Sequence, residues 1–365
     1  MTCLTEDRML RIRELEQVAG YREHLRKHPK LIYLFFELTD RCNMSCLHCG
    51  SSCSTGNQMI LPVKDIEKVL DETAERYDAG KIMVCLTGGE PMLHPDFYKI
   101  ANLIQEKGFL WGMTTNGSLI DDAAACALAE AGLGSVSVSL DGFAEDHDFL
   151  RNRKGAFEMA VHGIRSLQKC GKYRGILQVT TVVHRKNIGR LEEMYGYLKE
   201  MGITHWRLTN MDPIGRAEDH SDLLLDRKGF LTLLSFIREK RFCITDNMEV
   251  TFGCAHYLTP QWEKMVRDHY FLCGAGINIA GVLCNGDIYS CFDIERRPEL
   301  VQGNVKKDNF CDVWENRFHE YRRDRTSSCE MCRNCPESFL CGGDSFHTWD
   351  FERNRPGICL KQNVL

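Results

Sequence analysis

Short runs of apolar residues alternate with longer stretches of helical periodicity between residue 31 and about residue 210. Six runs are nearly continuous in apolar residues, which is typical of strands buried on both faces of a parallel sheet. These predicted strands are 31–36, 82–87, 109–114, 135–140, 177–183 and 205–209. The predicted helices between them are 63–77, 95–107, 121–131, 157–169 and 187–201. The alternation predicts an α/β fold, namely a partial (β/α)6 barrel of the TIM type.

Different patterns flank the predicted barrel. Apolar positions at helical spacing in 5–28 predict a leading helix that ends at Pro29, and a further helix is predicted at 224–240. Beyond Cys254 the chain is irregular and rich in Gly and Cys, with a hairpin signal at Asn285-Gly286. We therefore predict an N-terminal helix (1–30), the partial barrel (31–245), a linker (246–269) and a small irregular Cys-rich domain (270–365).

The composition is ordinary except for its cysteines. The charge is nearly balanced, with 46 Lys and Arg against 51 Asp and Glu, which excludes a general nucleic-acid-binding protein. The first ten residues lack the apolar core of a signal peptide, and the apolar runs are far shorter than the roughly twenty residues of a membrane helix. We therefore expect a cytoplasmic protein with no membrane partner, whose 19 cysteines stay reduced, and so high a number of thiols indicates metal binding.

The cysteines fall into two groups. Four lie between Cys42 and Cys53, and nine lie from Cys273 to Cys359, whereas those between the two groups stand alone and are predicted to be core residues. In the first group, Cys42, Cys46 and Cys49 form a C-x3-C-x2-C loop directly after the first predicted strand. Three thiolates on one loop can bind three irons of a cubane cluster and leave the fourth iron open. Cys53 is interpreted as a bystander.

Other motifs follow the later strands in a consistent order. Gly88-Gly89-Glu90-Pro91 ends the second strand, Asn116-Gly117 the third and Asp141-Gly142 the fourth, while residues 212–217 follow the sixth. With the cysteine loop, these motifs make the chain resemble the radical S-adenosylmethionine (SAM) superfamily.

The resemblance implies an enzyme and its site. Cys42, Cys46 and Cys49 would be the catalytic residues that bind a [4Fe–4S] cluster, and SAM would chelate the open iron. One electron, from a flavodoxin- or ferredoxin-type donor, would cleave SAM to methionine and a 5′-deoxyadenosyl radical, which abstracts a hydrogen atom from the substrate. The residues implied to contact SAM are His48, Gly88, Gly89, Glu90, Asn116, Ser139 and Arg151.

The second group resembles the SPASM domain, an auxiliary iron–sulfur module of some radical SAM enzymes. The resemblance rests on Cys273-x12-Gly286-x4-Cys291 and on Cys332-x2-Cys335-x5-Cys341 with a later Cys359. It implies an outer cluster bound by Cys332, Cys335, Cys341 and Cys359, and an inner cluster bound by Cys273 and Cys291. Ser345 stands where the pattern has a further cysteine. The inner set is therefore open: Cys284 or Cys329 is preferred as the extra ligand, Cys254 and Asp344 are alternatives, and a [2Fe–2S] cluster, no inner cluster or structural zinc are further alternatives.

The same resemblance implies a peptide or protein substrate. The leading hypothesis is a maturase of a ribosomally synthesised peptide that forms a thioether, a carbon–carbon crosslink or an epimerised residue. Too few residues precede the first strand for a leader-binding domain, so leader recognition is expected from the barrel or from a separate protein. The alternatives are an anaerobic sulfatase maturase, in which Asp293 is the candidate base, and a small-molecule enzyme of the haem or quinone-cofactor branch.

Overall fold

The computed structural model describes the backbone of residues 2–243 and 247–363, and the side chains of residues 8–243 and 247–362. Ten strands form one sheet in the order β10-β9-β8-β1-β2-β3-β4-β5-β6-β7, which is parallel from β8 to β7. Its strands are β1 (Tyr33–Glu37), β2 (Met83–Thr87), β3 (Leu110–Thr115), β4 (Ser135–Ser139), β5 (Ile176–Val183), β6 (His205–Asn210), β7 (Glu249–Phe252), β8 (Ile279–Val282), β9 (Asp287–Tyr289) and β10 (Gly303–Asn304). A separate antiparallel pair is formed by β11 (Trp349–Asp350) and β12 (Arg355–Pro356).

Helices connect the parallel strands and cover their outer face. In the barrel region and before it they are α1 (Thr2–Lys27), α2 (Val63–Arg76), α3 (Phe97–Glu106), α4 (Asp122–Glu130), α5 (Ala144–Arg151), α6 (Ala156–Lys169), α7 (Leu191–Glu200) and α8 (Arg227–Arg241). The later helices are short: α9 (Thr259–Trp262), α10 (Phe310–Asn316), α11 (His319–Arg322), α12 (Glu330–Arg333), α13 (Ser338–Cys341) and α14 (Leu360–Asn363). No helix in the described part of the chain is long and apolar enough to cross a membrane.

Successive side chains along each strand point to opposite faces of the sheet, so one face packs against the helices and the other is more polar. On β6, Trp206 and Leu208 are fully buried, whereas Arg207 between them is exposed. Arg207 acts electrostatically on Cys85 of β2, although three strands separate β2 from β6. The sheet must therefore curl so that both side chains face a common interior, which we call the lumen. This confirms the predicted partial barrel.

The structure differs from the predicted elements at three places. The predicted linker contributes β7, which pairs in parallel with β6 and adds a seventh strand to the barrel. Helix α5 was not predicted. Strand β8, from the predicted Cys-rich domain, pairs in parallel with β1 and extends the same sheet. Short strands of four residues give too few alternations to be recognised, and their pairing depends on neighbours that are distant in sequence.

A buried ion pair organises the segment between β7 and β8. Arg267 and Glu263 are both fully buried, and Arg267 Nη2 donates to Glu263 Oε1 at 2.8 Å and to His256 O at 2.6 Å. The Glu263 carboxylate also accepts from the backbone N–H groups of Leu258 and Phe271, at 2.9 and 3.0 Å. Because these bonds join buried backbone groups from both ends of this irregular segment, the predicted linker is a fixed part of the fold.

Candidate active site

The three thiols of the C-x3-C-x2-C loop lie together at the C-terminal end of β1. Cys42 and Cys46 are buried, Cys49 is half-buried, and they pack in one small cluster with Met44 and Cys53. The Cys53 thiol hydrogen-bonds to Cys49. The structure therefore brings the three predicted ligands together and places Cys53 beside them.

Two glycines let the end of β2 contact the backbone of this loop. Gly88 has φ +150°, and a Cβ there would lie 2.5 Å from Thr39 O. A Cβ at Gly89 would lie 2.1 Å from Arg41 O and 2.9 Å from Cys42 N. Gly89 N donates to Thr39 O at 2.7 Å. Glycine is thus required at both positions because the backbone of this segment lies against the backbone of the cysteine loop. Contact of these glycines with SAM stays a prediction.

Glu90 joins this segment to the turn after β3. It is fully buried, and its carboxylate accepts from Thr115 Oγ1 at 2.8 Å and from Asn116 N at 2.9 Å. Burial raises the pKa of Glu90 to about 7. Asn116 Nδ2 in turn donates to Asn43 Oδ1 at 2.8 Å and lies 3.9 Å from Cys42 Sγ. The described contacts of Glu90 are therefore internal and hold Asn116 against the cysteine loop.

Arg151 reaches the loop from the end of α5. Its Nε donates to the fully buried Asp141 at 2.6 Å, and its Nη1 lies 3.7 Å from Cys46 Sγ. Burial alone would lower the pKa of Arg151, but Asp141 and Cys46 raise it, so the guanidinium stays charged. Arg151 thus places a fixed positive charge beside the cysteine loop, as binding of the SAM carboxylate would require.

His48 and Ser139 complete the predicted set. Burial and the nearby Arg151 lower the pKa of His48 to about 3, so its imidazole is neutral. Its Nδ1 is buried and has no hydrogen-bond partner among the described residues, which leaves this atom available to a ligand. Ser139 ends β4, is buried, and pairs in register with Thr180 of β5.

Arg216, which the sequence reasoning did not select, also holds the cysteine loop. Its Nε donates to Cys46 O at 2.8 Å and its backbone N to Cys49 O at 3.2 Å. The preceding Gly215 has φ +58°, and a Cβ there would lie 2.6 Å from Gly50 O. The only signal for this contact was the position of residues 212–217 after the sixth strand.

A buried chain of charged groups connects that loop to the C-terminal region. His256 Nε2 lies 2.9 Å from Asp212 Oδ1, and His256 Nδ1 lies 3.8 Å from Asp344 Oδ2. Burial would lower the pKa of His256, but the two carboxylates raise it to about 10, so the imidazole is charged at neutral pH. Asp344 N donates to Cys341 Sγ at 3.1 Å. No local pattern in the sequence indicated His256.

The four thiols of the predicted outer cluster line one cavity. Three come from the segment 332–341 and the fourth follows later in the chain: Cys332, Cys335, Cys341 and Cys359. Lys361 Nζ lies 3.7 Å from Cys335 Sγ and would offset part of the negative charge of a thiolate-bound cluster. This arrangement fits a complete four-cysteine iron–sulfur site.

The inner site has a different set of neighbours from the one preferred in the sequence analysis. Cys329 is buried beside Cys332, with which it hydrogen-bonds, and Cys284 N donates to Glu37 at 3.2 Å at the end of β1. Instead, Cys254 and Cys273 act electrostatically on the Cys291 thiol. Cys254, rather than Cys284 or Cys329, is therefore the candidate extra ligand beside Cys273 and Cys291. The sequence could not show that Cys254 lies near Cys291, because Cys254 belongs to the segment after β7 and only the fold brings the two segments together.

Comparison with known proteins decides the family. Two family models match the chain, the radical SAM superfamily over residues 36–198 and the SPASM iron–sulfur cluster-binding domain over residues 273–336. The mycofactocin maturase MftC of Mycobacterium tuberculosis is 30% identical over 318 residues, which cover 86% of this chain and 77% of that protein. The chain belongs to the radical SAM superfamily.

Other radical SAM proteins are similar over most of their length. The AdoMet-dependent heme synthase of Methanosarcina barkeri is 28% identical over 356 residues, which cover 90% of this chain and 97% of that protein. The structure of Streptococcus suis SuiB bound to S-adenosylmethionine has a TM-score of 0.70 at 17% identity and covers 86% of this chain and 73% of SuiB. At that identity the likeness shows the fold alone.

Family membership establishes the cofactors of this radical SAM enzyme. They are SAM, a [4Fe–4S] cluster and auxiliary iron–sulfur clusters. The donor atoms described above fit these groups, because three thiols converge on the loop after β1 and four more line the outer cavity.

Proposed function

We propose that this radical SAM enzyme abstracts a hydrogen atom from a peptide or protein, as a maturase of a ribosomally synthesised peptide. The observation that carries the radical chemistry is the convergence of Cys42, Cys46 and Cys49 at the C-terminal end of a barrel strand. The peptide substrate is supported by the 30% identity to MftC, which is named as a maturase. SuiB, whose fold is similar, has also been crystallised with its precursor peptide SuiA.

In this proposal the three cysteines hold the catalytic cluster and the surrounding side chains hold SAM. Bound together, the cluster and SAM supply one-electron cleavage of the sulfonium and hydrogen abstraction from the substrate. Arg151 would bind the SAM carboxylate, and His48, which is neutral, would offer its unpartnered Nδ1 to the adenine. In the same proposal Gly88, Gly89, Glu90, Asn116 and Ser139 would line the rest of the SAM pocket.

A positive charge in the lumen favours a substrate that carries a carboxylate. Arg207 faces the lumen and makes no hydrogen bond or ion pair with another residue in the described part of the chain. It also acts electrostatically on Cys254, one of the cysteines near Cys291. A free guanidinium inside a barrel suits a planar carboxylate, which an acidic side chain or the C-terminus of a peptide provides.

A tetrapyrrole is the second candidate substrate. It is supported by the similarity to the heme synthase, which extends over 97% of that protein, and Arg207 would suit a carboxylate of this class equally well. The sulfatase-maturase alternative stays a prediction, and its candidate base, Asp293, lies close to Cys291 and His347 in the auxiliary region. The flavodoxin- or ferredoxin-type electron donor, a separate leader-binding protein and a cytoplasmic location stay predictions.

The test is SAM cleavage by anaerobically reconstituted enzyme. With dithionite, we expect the wild-type protein to form 5′-deoxyadenosine, and replacement of Cys42, Cys46 and Cys49 by Ala to abolish that product because the catalytic cluster is lost. Cys243→Ala, at an exposed cysteine, is the matched control and should leave the rate unchanged. Formation of 5′-deoxyadenosine by the triple variant would refute the assignment of the catalytic site.

The substrate class is tested separately. Incubation with a short precursor peptide encoded beside the gene should change the mass of that peptide. If the peptide is unchanged and a carboxylated tetrapyrrole is consumed, the second candidate is correct.

A further inference from the structure

A histidine, His347, lies beside Cys291 at the inner auxiliary site, although the cysteine spacing pattern gave no reason to expect it. His347 Nε2 lies 3.7 Å from Cys291 Sγ, and the ligand atoms of Cys291, Asp293 and His347 all lie within 4.8 Å of one another. Ser345, two residues earlier, is buried and its Oγ has no hydrogen-bond partner among the described residues. The chain thus has serine where a cysteine is expected and an imidazole at the site itself.

We propose that His347 replaces the missing cysteine and binds iron in a [2Fe–2S] cluster, on the same iron as Cys291, with Cys254 and Cys273 on the second iron. The proposal rests on family membership and does not depend on whether the substrate is a peptide or a tetrapyrrole. It assigns a mixed ligand set of three thiolates and one imidazole to a site whose pattern is incomplete.

The separation of the two donor atoms indicates that they share one iron. A metal–sulfur bond of about 2.3 Å and a metal–nitrogen bond of about 2.0 Å at a tetrahedral angle place the two ligand atoms about 3.5 Å apart. The observed 3.7 Å matches this value. In a [4Fe–4S] cubane each iron takes one protein ligand, so ligand atoms lie farther apart, whereas each iron of a [2Fe–2S] cluster takes two.

The positions of the other two cysteines favour two irons over a single ion. Cys254 and Cys273 both act electrostatically on Cys291, so their thiols are near. They are nevertheless outside the group whose ligand atoms all lie within 4.8 Å of one another. Four ligands of one tetrahedral ion would all meet that distance, so the wider spacing of Cys254 and Cys273 suits a second iron.

Asp293 has a different function in this arrangement. Its backbone N–H hydrogen-bonds to the Cys291 thiol, and its side chain is exposed. A hydrogen bond to a ligating sulfur stabilises the reduced cluster and fixes the ligand. Asp293 therefore positions Cys291, and His347 is left as the fourth ligand.

The experiment uses the full chain with Cys42, Cys46 and Cys49 replaced by Ala, so that only the auxiliary clusters remain. The protein is labelled with ¹⁵N-histidine, reconstituted with iron and sulfide, and reduced. We expect Mössbauer spectra with one two-iron component and pulsed EPR spectra with a histidine nitrogen coupling. That coupling should disappear in His347→Ala and His347→Cys, while His347→Cys keeps the two irons because a thiolate can replace the imidazole.

His319→Ala is the matched control, since His319 is exposed on α11 in the same region. It should leave the nitrogen coupling unchanged. The proposal is overturned if the labelled parent protein lacks the coupling, if His347→Ala and His347→Cys retain it, or if the site holds zinc or four irons. The His347→Cys variant and the labelled parent keep the test valid if His347→Ala fails to fold.

Discussion

Gly89→Ala tests whether the end of β2 holds the cysteine loop by direct backbone contact. The added Cβ would lie 2.1 Å from Arg41 O, whereas ordinary contacts begin at 3.4 Å, so the two segments must separate by about 1.3 Å. The bonds from Gly89 N to Thr39 O at 2.7 Å and from Glu90 N to Arg41 O at 3.0 Å would then be lost. Both bonds lie just before Cys42.

The expected loss of stability follows from these two effects. Two hydrogen bonds contribute about 1 to 3 kcal/mol together, and overpacking costs about 1 to 3 kcal/mol. We therefore expect Gly89→Ala to lower the free energy of unfolding of the cluster-free protein by about 2 to 6 kcal/mol. Iron at the catalytic site should fall as well, because the displaced loop carries all three ligands.

Anaerobic thermal unfolding and iron analysis are the assays, since Gly89 is also a predicted SAM contact and activity alone would not separate the two effects. Gly196→Ala is the matched control, because Gly196 is exposed within α7 and a Cβ there meets nothing within 4 Å. It should stabilise the protein by up to about 1 kcal/mol. Gly89→Ala with the iron content of the wild type and the stability of the control would refute the reasoning.

Two further predictions concern buried charges. Because burial raises the folded-state pKa of Glu90 from 4.5 to about 7, the folded state binds more protons than the unfolded state in this range, and stability falls as pH rises from about 4.5 to 7. The difference in unfolding free energy between wild type and Glu90→Gln should therefore change by about 3 kcal/mol across that range, and a pH-independent difference would contradict the assigned cause. Arg267→Met leaves the buried Glu263 without its partner and should destabilise the protein by about 3 to 5 kcal/mol in thermal or denaturant unfolding. Lys81→Met, in the exposed pair with Asp78, should leave the free energy of unfolding nearly unchanged, and equal effects of the two variants would show that burial of the pair is unimportant.

Local features of the sequence were sufficient to predict the strands of the barrel and the cysteine loop after β1. The six predicted strands appear with bounds shifted by at most a few residues, because buried parallel strands are continuous apolar runs that are visible in the sequence. Cys42, Cys46 and Cys49 lie within one loop, so their spacing alone places them together. The outer auxiliary thiols are likewise set by a recognisable spacing.

The tertiary structure decided which distant residues meet. Cys254 follows β7, Cys273 precedes β8, and His347 comes much later, yet all three lie near Cys291. Arg207 faces the lumen because the sheet curls, and Arg216 contacts the cysteine loop because β6 ends at the same edge as β1. Spacing in the sequence constrains neighbours within one loop or element, whereas contacts between elements depend on the order and curvature of the strands. The sequence therefore determined that Cys42, Cys46 and Cys49 lie together, and the packing of the sheet decided the neighbours of the inner auxiliary site.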